Sequence, residues 1–352
     1  MKKTVKIKRI LSLAFAVLFI FASLTGCSKN EAKAGEADGT KQSTEGKELR
    51  TIRVAFMTGQ TDHYAAVIGQ EEGIYEKHGI KIEGTEYAYG INTIDAIANG
   101  TGDVGMCADF AGVNRIGNTL DYNQLVFYAE LAVSNATTGG VYVAPEYADD
   151  LSKLENSPGW IASIGTRSEY SNWYAQTALG LDPDKQKAVN TDSTATALAA
   201  ATNGEASVVV SSGSQAKKYE ALGWKLVATS DQVSAATGSY LVTSKQYIET
   251  NADILADYLA ALDESVKYIN DHLDDVANRL SAKLGVDPEN FKSDWKTPQI
   301  VIGFTEEGAQ NLESIANWAA DHGKFEKKYN VRDFIITTAV EKAFPDRLTI
   351  KK

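Results

Sequence analysis

The sequence predicts an α/β fold of two lobes, joined by a hinge, with a cleft between the lobes. Apolar runs of strand length alternate with segments of helical periodicity from residue 51 to residue 230, a pattern typical of α/β architecture. The predicted helices tend to begin with Ser or Asp and end with Gly, so local start and stop signals agree with the periodicity. A predicted strand over 238–250 then leads the chain back, which makes a second crossing between the lobes.

The first series of elements begins with the apolar segment TIRVAFM, residues 51–57. Its strands are predicted at 51–57, 80–88, 103–108 and 124–131. Its helices are predicted at 62–79, 91–100 and 109–118. In the second of these helices Ile91, Ile94 and Ile97 recur every third residue, and Gly100 ends it.

The second series repeats the alternation. Its strands are predicted at 159–165, 187–191, 206–212 and 224–230, and its helices at 168–180, 193–204 and 213–223. After the returning strand, the C-terminal third is predicted to be helical, over 253–285, 306–325 and 332–344. We therefore predict one lobe from residues 50–140 plus 235–352 and the other from residues 141–234.

The N-terminus, residues 1–26, has the layout of a secretory signal peptide. Five Lys and Arg residues precede an uncharged apolar run from Ile10 to Leu24. That run is shorter than the roughly 20 residues of a membrane-spanning helix, which disfavours the alternative of a membrane anchor. It ends in LTGC, which resembles a bacterial lipobox. The resemblance implies cleavage before Cys27 and lipid attachment to that residue, so that the protein is anchored to a cell membrane outside the cytoplasm.

A flexible tether is predicted after the lipid attachment site, over residues 27–49. Residues 28–48 contain no aromatic side chain and no aliphatic side chain larger than alanine. Such a segment cannot bury enough surface to offset the entropy lost on ordering. The folded part is therefore expected to stand off the membrane surface.

Composition argues against several functional classes. Once the signal peptide is removed, 30 basic side chains stand against 46 acidic ones, and nucleic-acid binding needs clustered Lys and Arg. No CxxC motif or His/Cys cluster suggests a metal, and we expect no metal and no other cofactor. Cys107, at the end of an apolar strand, is predicted to be a small buried hydrophobe rather than a nucleophile.

Several motifs, taken in order, resemble a known family. The signature comprises the strand, polar loop and helix of RVAFMTGQTDHYAAVIGQEEGIYEKHG, followed by DAIANGTGDVGM. Further along, GTRSEYSNWYAQTALG and ALAAATNGEASVVVSS resemble the corresponding segments of the family's second lobe, although Ala206 and Ser207 follow Glu205 where an acidic residue and Ala are usual. The family is the periplasmic-binding-protein type II receptors of the sulfonate, taurine, nitrate and thiamin-precursor group.

The resemblance implies a receptor that is not an enzyme. Such receptors bind a small solute between two lobes and deliver it to the permease and ATPase of an ABC importer. We expect a monomer, anchored through Cys27, with the solute and the importer as its partners.

The first lobe offers polar residues beyond the carboxyl ends of its strands, where ligands of open α/β sheets bind. Among them Gln60 is the strongest single candidate, because an amide both donates and accepts. N-capping of a helix is the alternative role of Asp62 and of Asp109. The predicted ligand-binding residues of this lobe are Thr58, Gly59, Gln60, Thr61, Asp62, His63, Tyr89, Gly90, Asp109, Phe110 and Glu130.

The second lobe offers a helix start, which suits an anionic group. Ser168 is predicted to cap this helix, and Arg167 to pair with an anionic head, with a solvated loop arginine as its alternative. Trp173, one turn further on, is predicted to pack in the core. The predicted ligand-binding residues of this lobe are Thr166, Arg167, Ser168, Tyr170, Ser171, Ser211 and Ser212.

Ligand identity stays open between two chemistries. Acidic side chains at Asp62, Asp109 and Glu130 would suit the amine of a zwitterion such as a small aminosulfonate, next to an anion site for sulfonate or nitrate. The alternative is a pyrimidine-type precursor of thiamin or riboflavin, which Tyr89, Phe110 and Tyr170 could stack against.

Two further classes of protein stay open besides a transport receptor. One is an enzyme, since a thiamin-pyrimidine synthase that sacrifices a histidine shares this fold. His63 lies near the predicted cleft, but the cysteine-rich motif of that enzyme is missing here. The other is a sensor or adhesion lipoprotein built on the same lobes.

Overall fold

The computed structural model describes residues 48–122, 124–134, 139–233 and 236–351. The predicted signal peptide, Cys27 and the tether as far as residue 47 lie outside the described residues and stay predictions. Within the described ranges, every helix is too short or too polar to span a lipid bilayer.

Helices and strands alternate along most of the chain. The strands are β1 (Arg50–Met57), β2 (Ile80–Tyr87), β3 (Val104–Ala108), β4 (Leu125–Ser134), β5 (Gly140–Val143), β6 (Trp160–Ala162), β7 (Ala188–Asn190), β8 (Val208–Ser211), β9 (Lys225–Thr229), β10 (Thr237–Ser244) and β11 (Pro298–Gly303). The helices are α1 (Thr61–Glu71), α2 (Ile74–Lys77), α3 (Gly90–Ala98), α4 (Asp109–Thr119), α5 (Arg167–Ala178), α6 (Thr194–Thr202), α7 (Gly213–Ala221), α8 (Ser230–Val233), α9 (Lys245–Asp271), α10 (Leu273–Leu284), α11 (Pro288–Trp295), α12 (Glu306–Asp321) and α13 (Thr338–Ala343). Short 3-10 turns cover Pro145–Tyr147, Leu151–Asn156, Pro183–Lys185, Val331–Phe334 and Pro345–Arg347.

The strands form two separate sheets. The first has the order β11-β4-β10-β3-β1-β2, and the second has the order β7-β6-β8-β5-β9. In the first sheet β1 pairs in parallel with β2 and β3, while β10 runs antiparallel to β3 and β4. In the second sheet β6 is parallel to β7 and β8, and β5 is antiparallel to β8 and β9. The chain therefore builds most of the first sheet, then the second, and returns to the first through β10.

Each sheet is covered by helices on both faces. In the first sheet β4 is buried from Leu125 to Ala132, as expected for a strand with apolar layers on its two faces. One of those layers packs against α1 and α9, and the other against α4 and α12. The second sheet has α6 and α7 on one face and α5 on the other. The α/β class predicted from the alternation is confirmed, whereas the lobe boundaries at 140/141 and 234/235 stay a prediction.

Several element boundaries differ from the predictions. The predicted helix over 62–79 is divided at Gly73, whose φ of +66° ends one helix and begins the next. The returning strand stops at Ser244, because the hydroxyl of Ser244 accepts the Tyr247 N–H and caps α9. The predicted helix over 253–285 is interrupted at His272. Strands β5 and β11 were not predicted, and β11 lies in the C-terminal third that was expected to be helical.

A candidate ligand cavity between the two sheets

A cavity of about 280 Å³ lies between the two sheets. Residues of both sheets and of the helices that follow their strands form its walls. Its apolar and glycine lining consists of Met57, Gly90, Ile91, Ala108, Ala111, Ile161, Ala162, Ala197, Val209 and Val210. Its polar and aromatic lining consists of Tyr89, Ser163, Thr166, Arg167, Ser168, Thr191, Thr194, Ser211, Gln215 and Tyr219.

Five helices begin at the wall of this cavity. Residues at the start of α3, α4 and α5 line it, and so do residues in the first turn of α6 and α7. A helix start carries N–H groups without intrahelical partners and a partial positive charge. Among the described lining residues, Arg167 is the one with a charged side chain. The electrostatics of the walls therefore favour a negatively charged group.

The start of α3 is held directly against strand β3 by Gly90. A Cβ atom on Gly90 would lie 2.9 Å from the Cα atom of Cys107, closer than side-chain atoms normally approach. The hydroxyl of Thr93 fastens the same contact, because it lies within hydrogen-bond distance of the carbonyl oxygens of Gly90 (2.8 Å) and Met106 (2.6 Å). Cys107 is fully buried behind this contact and burial raises its pKa, which confirms its prediction as a small buried hydrophobe.

The loop before α5 is rigidified by its own hydroxyl groups. Thr166 is the N-cap, since its hydroxyl accepts the N–H of Ser168 at 3.3 Å. The prediction that Ser168 caps this helix is wrong, because its hydroxyl accepts the N–H of Ser163 at 2.7 Å instead. The Thr166 hydroxyl also donates to the carbonyl oxygen of Ser163 at 2.7 Å. All three side chains reach the cavity wall with their hydroxyl positions already defined.

Arg167 and Asp109 form a buried ion pair at the edge of the cavity. The Nη1 atom of Arg167 lies 2.8 and 2.7 Å from the two carboxylate oxygens of Asp109. The Asp109 side chain is fully buried and that of Arg167 is 11% exposed. The capping role for Asp109 is wrong, because Ala108 occupies the N-cap position of α4. The alternative of a solvated loop arginine is also wrong for Arg167, because its guanidinium is paired with Asp109 and largely buried.

Two tyrosines give the cavity an aromatic component. Tyr89 comes from the segment before α3, next to the first sheet, and Tyr219 comes from α7, which packs on the second sheet. Burial raises the pKa of both phenols, and the proximity of Tyr89 raises that of Tyr219 further. Both side chains are therefore neutral at physiological pH and present a flat, weakly polar surface.

The predicted polar loop after β1 does not line the cavity. Met57, the last residue of β1, does so instead. The loop residues bond one another, since the Gly59 N–H donates to Nδ1 of His63 at 3.2 Å, while Nε2 of His63 lies 3.3 Å from Glu86. Thr58 donates to the carbonyl oxygen of Tyr87. The structure accordingly places Thr58, Gly59, Gln60, Thr61, Asp62 and His63 away from the cavity lining.

Asp62 is fully buried on α1 and does not line the cavity. The capping role for it is wrong, because Gln60 is the N-cap of α1. No side chain among the described residues donates to its carboxylate. Burial raises the pKa of Asp62 to about 7, although backbone N–H groups of Asp62 and His63 oppose this rise.

Glu130, Phe110 and Tyr170 lie outside the cavity lining and have structural contacts. The carboxylate of Glu130 is buried and accepts the N–H and the hydroxyl of Thr305 at 2.9 and 2.7 Å, at the start of α12. Phe110 is fully buried and stacks on Tyr170, with ring centroids 6.1 Å apart. Trp173 packs against Trp318 at 5.3 Å, consistent with the packing role predicted for it.

Of the predicted residues, the structure brings six together at the cavity and leaves the others outside its lining. Ser171 accepts the Nε–H of Arg167 at 3.3 Å, and Ser212 is the exposed N-cap of α7. The six lining residues are Tyr89, Gly90, Thr166, Arg167, Ser168 and Ser211. The lining residues that were not predicted from the sequence are mostly apolar, such as Ile91, Ile161 and Val209. The sequence feature that could have indicated them is their position within two residues of a strand end or a helix start.

Comparison with known proteins places the fold. Neither family models nor curated protein sequences give a match to this chain. Solved structures do: the periplasmic aliphatic sulphonate-binding protein SsuA from Escherichia coli has a TM-score of 0.67 at 17% identity, covering 81% of this chain and 97% of that one. The nitrate-binding protein NrtA from Synechocystis PCC 6803 has a TM-score of 0.69 at 14% identity, covering 85% and 89%.

A third similar structure is the alkanesulfonate-binding protein SsuA from Xanthomonas axonopodis pv. citri bound to MOPS. Its TM-score is 0.66 at 14% identity, and the match covers 83% of this chain and all of that one. These likenesses extend over nearly the whole length of each relative. The chain therefore has the periplasmic-binding-protein fold that its sequence motifs predicted.

Proposed function

We propose that the protein is an extracytoplasmic solute-binding lipoprotein of an ABC importer, and that it captures a small organic anion with an apolar part, such as an aliphatic sulfonate. The observation that carries this proposal is a cavity with five helix starts and one arginine in its walls and no described carboxylate among its lining residues. Structural relatives named for sulfonates and nitrate support the same class of solute.

The apolar walls favour an organic anion over an inorganic one. Ile91, Ile161 and Val209 contribute aliphatic surface to the cavity, and burying such surface against a ligand's carbon atoms removes it from water. Nitrate has no apolar part and would leave these walls uncovered. An aminosulfonate is disfavoured too, because Asp62, Asp109 and Glu130 do not line the cavity and its amine would lack an anionic partner.

A pyrimidine-type solute is the second candidate. Tyr89 lines the cavity next to the first sheet, and Tyr219 lines it next to the second sheet. A flat heterocycle could stack on either ring. Phe110 no longer supports this alternative, since it lies in the core. An enzyme of the same fold is less well supported, because the described lining contains neither a cysteine nor a histidine.

Calorimetric titration of the mature protein with 1-propanesulfonate, taurine, nitrate and an aminopyrimidine tests the proposal. We expect heat from the alkanesulfonate and a weaker signal or none from nitrate and taurine. Ala197→Phe should abolish binding, because Ala197 faces the cavity from α6 and the larger ring would occupy the ligand's space. Ala199→Phe, on the exposed side of the same helix, is the matched control. If only the aminopyrimidine gives heat, the sulfonate proposal is wrong and a pyrimidine-type solute is the better candidate.

Lipid anchoring is proposed from the N-terminal sequence. We expect Cys27→Ser to release the protein from the membrane fraction of the producing cell. The chain has one other cysteine, so Cys107→Ser is the matched control and should stay membrane-bound. Membrane retention of the Cys27→Ser variant would contradict the lipoprotein assignment.

A further inference from the structure

Asp109 is the centre of a buried hydrogen-bond network next to the cavity. Besides Arg167, its carboxylate accepts the backbone N–H groups of Phe110 at 2.7 Å and Gly238 at 2.9 Å, and the side-chain amide of Asn311 at 2.9 Å. These donors satisfy both carboxylate oxygens of Asp109 and fix their positions. The carboxylate connects the starts of α4 and β10 and the side of α12 to Arg167 in the cavity wall.

The guanidinium group of Arg167 is oriented by this network. Its Nη1 atom is bound by Asp109, its Nε atom by the Ser171 hydroxyl at 3.3 Å, and its Nη2 atom by the carbonyl oxygen of Ala236 at 3.2 Å. The positive charge that a ligand meets at this wall is therefore placed by protein contacts before any ligand arrives. It is also opposed at short range by a full negative charge.

We propose that Asp109 determines the ligand charge that the cavity accepts, by positioning Arg167 and balancing its charge so that a singly charged head group is preferred over a doubly charged one. This inference rests on the proposed function, since it concerns an anionic ligand. Asp109 does not line the cavity, so it acts through Arg167 as a positioning residue.

The physical reason is that the charges of Arg167 and Asp109 both act on a ligand bound at this wall. A ligand oxygen near Arg167 is attracted by the guanidinium and repelled by the carboxylate directly behind it, in surroundings where water screens little. A head group at the start of α5 meets only about half an elementary positive charge from that helix, which is less than a second negative charge would need. A second negative charge on the ligand would lose its hydration and gain no further unbalanced cation.

The test compares 1-propanesulfonate with propylphosphonate, at a pH where the phosphonate carries two charges, by calorimetric titration. Wild-type protein should bind the sulfonate more tightly. Asp109→Asn should shift the affinity ratio by about tenfold towards the phosphonate, because it unmasks Arg167. Asp109→Glu keeps the charge and should keep the wild-type preference. Glu130→Gln removes another buried carboxylate that lies outside the cavity lining, and it should leave the ratio unchanged.

Each result separates the inference from the proposed function. A ratio that does not move in Asp109→Asn, with sulfonate still bound, overturns the inference alone. No binding of either anion to wild-type protein overturns the proposed function and the inference with it. If Asp109→Asn does not fold, Arg167→Gln answers the same question. That variant leaves the Asp109 carboxylate without its cation and should weaken the propylphosphonate about tenfold more than the sulfonate, and an unchanged affinity ratio overturns the inference.

Discussion

Replacing Asp62 with asparagine should make the protein less sensitive to alkaline pH. Asp62 is fully buried on α1, and no side chain among the described residues donates a hydrogen bond to its carboxylate. The buried hydroxyls of Tyr128 and Tyr258 also lack a hydrogen-bond partner among the described residues, and both are close enough to interact with the charge of Asp62. Burial raises the pKa of Asp62 from 3.8 to about 7, because the charged form loses its hydration.

The direction of the pH effect follows from which state binds the proton more tightly. Between the unfolded pKa of 3.8 and the folded pKa of about 7, the unfolded chain releases this proton while the folded protein retains it. Rising pH therefore favours unfolding throughout that window, and the effect levels off above the folded pKa. Integrating one proton between these two pKa values gives a loss of about 3 kcal/mol in the free energy of unfolding from pH ~5 to pH ~8.

Urea unfolding at these two pH values measures the effect. The wild-type protein should lose about 3 kcal/mol more than the Asp62→Asn variant on going to the higher pH. Tyr329→Phe, which removes a hydroxyl that donates to the carbonyl oxygen of Val113 in the other apolar layer of the first sheet, is the control and should change stability equally at both pH values. If the wild type and Asp62→Asn show the same pH dependence, Asp62 is not protonated in the folded protein and the reasoning fails.

Two further substitutions test how the cavity wall and the longest helix are held. Gly90→Ala should lower stability by about 1–3 kcal/mol and weaken ligand binding, because the new Cβ would meet the backbone of Cys107 at 2.9 Å. A thermal melt and a calorimetric titration measure the two effects. An unchanged melting temperature would contradict the close approach of α3 and β3. Ser244→Ala should cost about 1 kcal/mol through loss of the cap on α9. Chemical unfolding measures that loss, with the exposed Thr250→Ala substitution on the same helix as control, and equal stability of the two variants would argue against the cap.

The sequence was sufficient to predict the alternation of strands and helices, because most elements carry their own signals. Apolar strands such as β1 and β8 are followed directly by polar residues, and glycines with positive φ, such as Gly79 and Gly100, end the helices. The short strand β5 and the edge strand β11 lack such signals. Their conformation comes from pairing with β8, β9 and β4, which are distant in the chain.

Part of the candidate site was also predictable. Ser211 and Gly90 lie where a strand ends or a helix begins, and topology alone brings such positions to one edge of a sheet. The polar loop of Thr58–His63 was predicted to bind ligand but lies outside the cavity lining. Several of its groups instead bond within the loop or to β2, as His63 does with Gly59 and Glu86. The pairing of Arg167 with Asp109 could not be predicted, since 58 residues separate them and each had a plausible local role.

A crystal structure of the mature protein grown with saturating 1-propanesulfonate tests the central claim most directly. We expect density for the sulfonate group at the start of α5, within hydrogen-bond distance of the loop from Ser163 to Ser168, and the propyl chain against the aliphatic wall formed by Ile161 and Val209. A ligand bound elsewhere on the protein, or a cavity without the ligand in such crystals, would contradict the account.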